Sequence, residues 1–284
     1  MTANNSAWLD QEYNALLALA DPAALFAEWA QRSAAARQAH PHFSDISYGP
    51  TRGQTLDLFP SSQPSSPVMV FIHGGFWRGS DKAAHSFLAP AFTSRGTVFV
   101  LLNYDLCPTV RIETIVSQVS QGVAWVHRHV REYGGDPQRI TLAGHSAGAH
   151  LAAMLLTRHW CSEQSDLPGN IASRALCISG LFELETLRHV PFLQTDLALT
   201  RESARMLSPV NHIPRDGISV HAVVGEQESS EFHRQNSLLC TQWGTDAVPV
   251  CESITGRRHF DILDDLADRS TRLHELAHRL LRAA

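Results

Sequence analysis

A surplus of basic residues, a long apolar run and a clustered set of metal ligands are all missing from this 284-residue chain. Lys and Arg number 23 against 28 Asp and Glu, for a formal net charge of -5 and a pI near 6.3. That balance offers no broad positive field for nucleic acid or anionic lipid. No stretch approaches the roughly 18 uninterrupted apolar residues of a membrane span. The opening MTANNSAWLDQEYN has neither the basic segment nor the apolar run of a secretory leader. The five cysteines (Cys107, Cys161, Cys177, Cys240 and Cys251) are odd in number, scattered and without a C-x-x-C pair. They read as reduced thiols of a cytoplasmic protein. Sixteen histidines are present, but no H-E-x-x-H, and the pairs His40/His42 and His127/His129 stand in polar surroundings. No metal and no cofactor are expected. The partner that remains is a small, neutral or weakly charged molecule, and a homodimer is left open.

What is present suits a large core. Hydrophobic residues make up 44% and charged residues 18%, at a length near the upper end for one domain. Residues 1–284 are therefore read as a single domain. After some forty residues of Ala- and Leu-rich, helix-like sequence carrying Trp8, Tyr13 and Trp29, DISYG and TLDLF suggest a short strand pair. VMVFI, TVFVLLNY, ITLAG, RALCISG, SVHAVVG and AVPVCESI follow as six further strands, several apolar throughout. Such runs fit strands buried on both faces. Between two of them, Ile112, Ile115, Val116, Val119, Val123, Val126 and Val130 recur at helical spacing, and Gly134 and Gly135 end the run. Alternating strands and helices imply right-handed crossovers and a mainly parallel central sheet with helices on both faces. Residues 181–214 are longer than an ordinary crossover and leave a strand's carboxyl end. With residues 1–40 they are candidates for a small helical cap over the crevice found there in open α/β sheets.

The pentapeptide Gly144-His145-Ser146-Ala147-Gly148 lies between the strand ITLA and an apolar helical face. A serine hydroxyl becomes a useful nucleophile when a sharp strand-to-helix turn holds it clear of the backbone and near a base, and G-x-S-x-G builds that turn. Acyl transfer also needs an oxyanion site, a base and a group that orients the base. About seventy residues earlier, His73-Gly74-Gly75-Phe76-Trp77 follows a buried strand. Backbone N–H groups of Gly74 and Gly75, with that of Ala147 after the serine, could hold an oxyanion. The base should come late in the chain, and His259 in GRRHFDIL lies between the last strand and the terminal helix. His274 and His278, spaced i, i+4 in that helix, are expected to be exposed. The acid should follow the penultimate strand, where Glu226, Glu228 and Glu231 are available. Glu231 suits the start of the next helix. Glu228, three residues past Gly225, is preferred over Glu226 as the group that orients His259.

With HGGFWRGSDK, LNYDLCP, GHSAGAHLAAML, GEQESSEFHRQN, HFDIL and WLDQEYN in place, the chain resembles the serine-dependent kynurenine formamidases (arylformamidases), an esterase branch of the α/β-hydrolase fold with an H-G-G oxyanion turn. The resemblance spans nearly the whole chain. It implies Ser146 as nucleophile, His259 as base and Glu228 as the third member, with the animal enzymes placing Asp at the position of Glu228. It further implies hydrolysis of N-formyl-L-kynurenine to L-kynurenine and formate, with no cofactor. For an aromatic substrate, Phe76, Trp77, Tyr104 and His145 are the candidate pocket residues. The same machinery would serve a carboxylesterase or amidase acting on small aryl or short-acyl esters.

Overall fold

The computed structural model describes residues 3–163 and 165–282. The apolar runs become strands of one eight-stranded sheet: β1 (Phe43–Ser47), β2 (Thr55–Phe59), β3 (Ser66–Ile72), β4 (Val98–Leu102), β5 (Gly135–His145), β6 (Arg174–Ile178), β7 (Ser219–Gly225) and β8 (Val250–Ile254). Their spatial order is β1-β2-β4-β3-β5-β6-β7-β8. β1 and β2 pair antiparallel and β2 runs antiparallel to β4, while every pairing from β4 to β8 is parallel. This is the α/β-hydrolase architecture expected from the sequence. All five residues of β4 are buried, as a strand covered on both faces requires.

Two helices precede the sheet, α1 (Ala3–Tyr13) and α2 (Pro22–Ala39). α3 (Ala89–Thr93) leads into β4, and α4 (Ile112–His129) crosses to β5. α5 (Ala147–Leu156) and the short α6 (Trp160–Glu163) lead to β6. α7 (Pro191–Leu197) and α8 (Arg201–Met206) occupy the long excursion to β7, and α9 (Ser230–Ala247) joins β7 to β8. α10 (Ile262–Ala267) and α11 (Arg272–Arg282) close the chain. Side chains from α4, α5 and α9 pack in one core on one face of the sheet, and those from α2, α3, α10 and α11 in a second core on the other. In α4 the predicted positions from Ile112 to Val126 are buried, and Gly134 stops the helical run in the left-handed conformation at φ 84°.

The N-terminal segment is tied to the carboxyl edge of the sheet. Tyr13 Oη donates to Glu231 Oε2 at 2.7 Å, and the Glu12 carboxylate accepts from the Glu231 N–H at 3.0 Å. Asp21 caps α2 by accepting from the Ala24 N–H, with Pro22 in the first turn. The contacts of Tyr13 and Glu12 hold α1 against the start of α9, with α7 beside it, while α2 packs on the short helical turn Lys82–Leu88.

The structure departs from the sequence expectation at the cysteines and at His274. Cys240 on α9 and Cys251 on β8 form a disulfide, so only Cys107, Cys161 and Cys177 are free thiols. The two stand eleven positions apart in sequence, but α9 turns back at Gly244, at φ 76° and ψ 169°, and delivers β8 alongside its own helix. His274 is buried instead of exposed: its face of α11 packs on Phe92, and Nδ1 donates to the Leu266 carbonyl at 3.0 Å. Among the described residues, no helix is long and apolar enough to cross a membrane and no cluster of potential metal ligands occurs.

Candidate active site

The strand order reverses around β3, which lies between β4 and β5, and ligand crevices in open α/β sheets form at such a point. Register decides what meets there. Ile72, the last residue of β3, is level with Gly144 of β5. The turns after these two strands therefore leave the sheet side by side. Gly74 sits so close to the second turn that a Cβ on it would lie 2.8 Å from the His145 carbonyl and 2.9 Å from Ser146 Cβ. Ser146 itself takes φ 56° and ψ -120°, with its N–H donating to the Ile178 carbonyl at 2.8 Å. A non-glycine residue in that conformation is strained by about 1–3 kcal/mol and needs surrounding structure to hold it. The flanking glycines permit it. A Cβ on Gly144 would come within 2.2 Å of the Gly148 carbonyl oxygen, and one on Gly148 within 2.0 Å of the Ile72 carbonyl oxygen. Ser146 then heads α5, whose first backbone N–H is that of Ala147.

β7 and β8 are also neighbours, and their ends bring the next pair together. His259 Nδ1 donates to Glu228 Oε2 at 2.7 Å. The other carboxylate oxygen, Glu228 Oε1, accepts from the Gly225 N–H at 2.7 Å and from Ser179 Oγ at 2.5 Å. The Glu228 carboxylate, 1% exposed, is therefore fully engaged, and a buried charge needs that. With its proton on Nδ1, His259 presents the lone pair of Nε2. Glu226 is directed elsewhere, with its carboxylate accepting from the Gly256 N–H at 2.7 Å. Glu231 sits in the first turn of α9, bonded to Tyr13 and Arg234.

A cavity of about 690 Å³ opens in front of these groups, and Ser146, His259, Gly74 and Gly75 all line it. Asn14 to Leu16, Phe26 and Trp29 reach it from the N-terminal segment, and Phe192 and Asp196 from α7. Of the four predicted pocket residues, Phe76 and His145 line this cavity. His145 Nε2 donates to the His259 carbonyl at 2.7 Å, and burial holds its imidazole well below the usual histidine range. It therefore braces the His259 loop as a neutral ring.

Trp77 and Tyr104 face the core instead of the cavity. Phe76 and Trp77 both take positive φ, 50° and 56°, and the turn sends their rings opposite ways. Trp77 is fully buried, with Nε1 donating to His150 Nδ1 at 3.2 Å. Tyr104 lies under the Gly74 turn, its ring stacked on His73 at 4.4 Å and its hydroxyl donating to the His73 carbonyl at 2.9 Å. Sequence reasoning did not find Ser179, Arg78, Phe192, Asp196 or Phe260. Only Ser179 carried a usable signal, as the polar residue following a buried strand.

A strained serine at a strand-to-helix turn, a glycine turn against it and a buried His–carboxylate pair at one sheet edge together define the esterase class of α/β-hydrolase enzymes. Comparisons with known proteins agree. The BD-FAE family model matches residues 56–173. The kynurenine formamidase of Danio rerio is 29% identical over 254 residues, covering 87% of this chain and 84% of that protein. A crystal structure from Silicibacter sp. tm1040, provisionally a thioesterase, superposes with a TM-score of 0.82 at 28% identity over 93% of this chain and 97% of its own. EstE1, a thermophilic carboxylesterase from a metagenomic library, shares the fold with a TM-score of 0.70 at 18% identity, over 92% of this chain and 97% of its own. The chain is thus a hydrolase whose resemblance to kynurenine formamidases extends over most of its length.

Proposed function

We propose that this hydrolase cleaves an aryl formamide, N-formyl-L-kynurenine, to L-kynurenine and formate through Ser146, His259 and Glu228. The observation that carries the reading is the 2.7 Å contact from His259 Nδ1 to the buried Glu228 carboxylate, in a cavity that also holds Ser146. Similarity to the Danio rerio enzyme supports the choice of substrate.

Ser146 Oγ attacks the formyl carbon while His259 Nε2 takes its proton. The negative charge formed on the carbonyl oxygen is met by the N–H groups of Gly74, Gly75 and Ala147, each donor contributing about 3 kcal/mol to the transition state. Glu228 stabilises the imidazolium and keeps its orientation. The C–N bond then breaks as His259 returns its proton to the aryl nitrogen, leaving a formyl ester on Ser146. Water attacks that ester, His259 takes the water proton and gives it to Ser146 Oγ, and formate leaves. An anilide nitrogen departs more readily than an alkyl amine, which puts this amide within reach of an esterase-type site.

Kinetics on N-formyl-L-kynurenine and on a p-nitrophenyl ester series test the proposal. We expect kcat/KM for the formamide to exceed that for p-nitrophenyl acetate, and Ser146→Ala to lower it by about ten-thousand-fold or more. A formamide value no better than the ester value would favour a carboxylesterase for small aryl or short-acyl esters. Full activity on both in Ser146→Ala would remove the nucleophile assignment.

A further inference from the structure

The cavity in front of Ser146 is walled mainly by apolar and aromatic groups, and burial keeps two of its histidines, His85 and His145, uncharged. The Asp, Glu, Lys and Arg side chains among its described lining are Arg78 and Asp196, and these are paired with each other. Arg78 follows the Gly74–Gly75 turn, and Asp196 is on α7. The guanidinium carbon also lies 5.5 Å from the centre of the Phe192 ring. Side-chain exposures of 34% and 29% leave both charges open to the cavity instead of sealed beneath it.

An ion pair about one-third exposed adds little to stability, so its place in an otherwise uncharged wall calls for another account. The pair has no net charge, yet it presents a planar guanidinium and a carboxylate side by side. A ligand carrying a single charge meets one partner and one repulsion there. A free α-amino-acid head group carries ammonium and carboxylate on one carbon, and it can lie across the pair with each charge opposite its counterpart. The guanidinium has five N–H donors, enough to keep Asp196 and accept a second carboxylate. The aromatic wall, with Phe76, Phe192 and Trp29, would hold the aryl ring between this end and Ser146.

We infer that Arg78 and Asp196 form the subsite for the zwitterionic head group of an aryl amino acid, carboxylate on Arg78 and ammonium on Asp196. The inference rests on the aryl-formamide reading and deepens it, because this head group is the end of N-formyl-L-kynurenine remote from the reacting bond. The pair is a selectivity device that prefers zwitterions to aryl formamides with a lone carboxylate or no charge.

Inhibition of p-nitrophenyl acetate hydrolysis tests the subsite without requiring formamidase activity. The ligands are L-kynurenine and 2′-aminoacetophenone, which keeps the aryl amine and ketone but lacks the head group. In the native protein L-kynurenine should bind the more tightly. Arg78→Met and Asp196→Asn should each reduce that preference about 10-fold or more, the scale of a lost charge-assisted hydrogen bond. Arg78→Lys, which retains charge but loses the fork, should fall between and serves if Arg78→Met does not fold. Equal inhibition by both ligands in the native protein, or a preference unchanged in both charge-removing variants, overturns the subsite and leaves the pair a clasp between α7 and the glycine turn. L-kynurenine inhibition that depends on Arg78, in a protein unable to cleave N-formyl-L-kynurenine, would uphold the subsite and reject the formamidase reading.

Discussion

Ser146 keeps its strained backbone only because neighbouring atoms leave no room for another arrangement. Gly148 has the least space, a Cβ there lying 2.0 Å from a backbone oxygen of β3 that cannot move without breaking the sheet. We therefore expect Gly148→Ala to lower stability by about 3 kcal/mol or more, at the severe end for a single substitution. Thermal unfolding would show it, and a loss below about 1 kcal/mol would contradict the close packing of elbow on strand. Glu228 tests the chemistry more directly. Glu228→Gln keeps the shape but can offer an N–H where His259 needs an acceptor, and an analogous exchange in a Ser–His–Asp enzyme costs about ten-thousand-fold in kcat. We expect a loss of that order in kcat with a small change in KM, read from steady-state kinetics. Ser146, His259 and the glycines were legible at this scale because their patterns are local: each follows a strand within a few residues. Trp77 was misplaced because the direction of its ring depends on two consecutive positive φ values that leave no mark in composition, and Tyr104 because the pairing of β4 beside β3 puts its ring against His73.

Among the elements, the contact of α1 with the start of α9 bears most directly on the site. Tyr13, Glu231, Arg234 and Gln235 form one network, and Ser229, next to Glu228, donates to the Glu12 carbonyl at 2.6 Å. Burial and the neighbouring Glu231 carboxylate push the Tyr13 phenol far up, so it is a constant donor. Tyr13→Phe leaves Glu231 and Gln235 each short of a partner, at a cost of about 1–3 kcal/mol. Denaturant unfolding should show this loss together with a lower kcat, since the loop behind Glu228 loses its strap. The disulfide between α9 and β8 belongs to the same scale. Alkylation of the denatured, unreduced chain should modify three cysteines, and five after reduction; mass spectrometry decides it. The central strands were legible as continuous apolar runs and α4 by its helical period. The pairing of Cys240 with Cys251 and the burial of His274 were not, since both depend on which face of an element the next one covers.

For the whole molecule, buried neutral histidines set the response to acid. Burial lowers His150 to about 4 and His85 to about 3. His150 Nδ1 accepts from Trp77 and Nε2 donates to the Leu207 carbonyl, so a second ring proton would displace the Trp77 bond. In the unfolded chain both rings take up protons near pH 6.5. The unfolded state thus binds more protons than the folded state below that pH. Stability is complete above pH 6.5 and is lost as the pH falls towards 4 for His150 and towards 3 for His85. His150 alone should account for on the order of 3 kcal/mol across its window. Urea unfolding at pH 7.5 and at pH 4.5 measures the loss. His150→Gln should reduce the uptake by about one proton relative to the native chain, and an unchanged pH slope would exclude His150 as a source.

The strands, the crossovers, the elbow at Ser146 and the order in which the glycine turn, Ser146, Glu228 and His259 arrive were all determined by the sequence alone. These follow from apolar period and from glycine at tight turns, which act over a few residues. Only the tertiary structure decided which glutamate reaches His259, which aromatics face the cavity and which charges meet in it. Those outcomes depend on strand register and on helices far apart in the chain. Glu226 and Glu228 differ by two residues in sequence, and the turn after β7 directs one to Gly256 and the other to His259. Arg78 and Asp196 meet across 118 residues, because the sheet's parallel order brings the turn after β3 and helix α7 to the same edge.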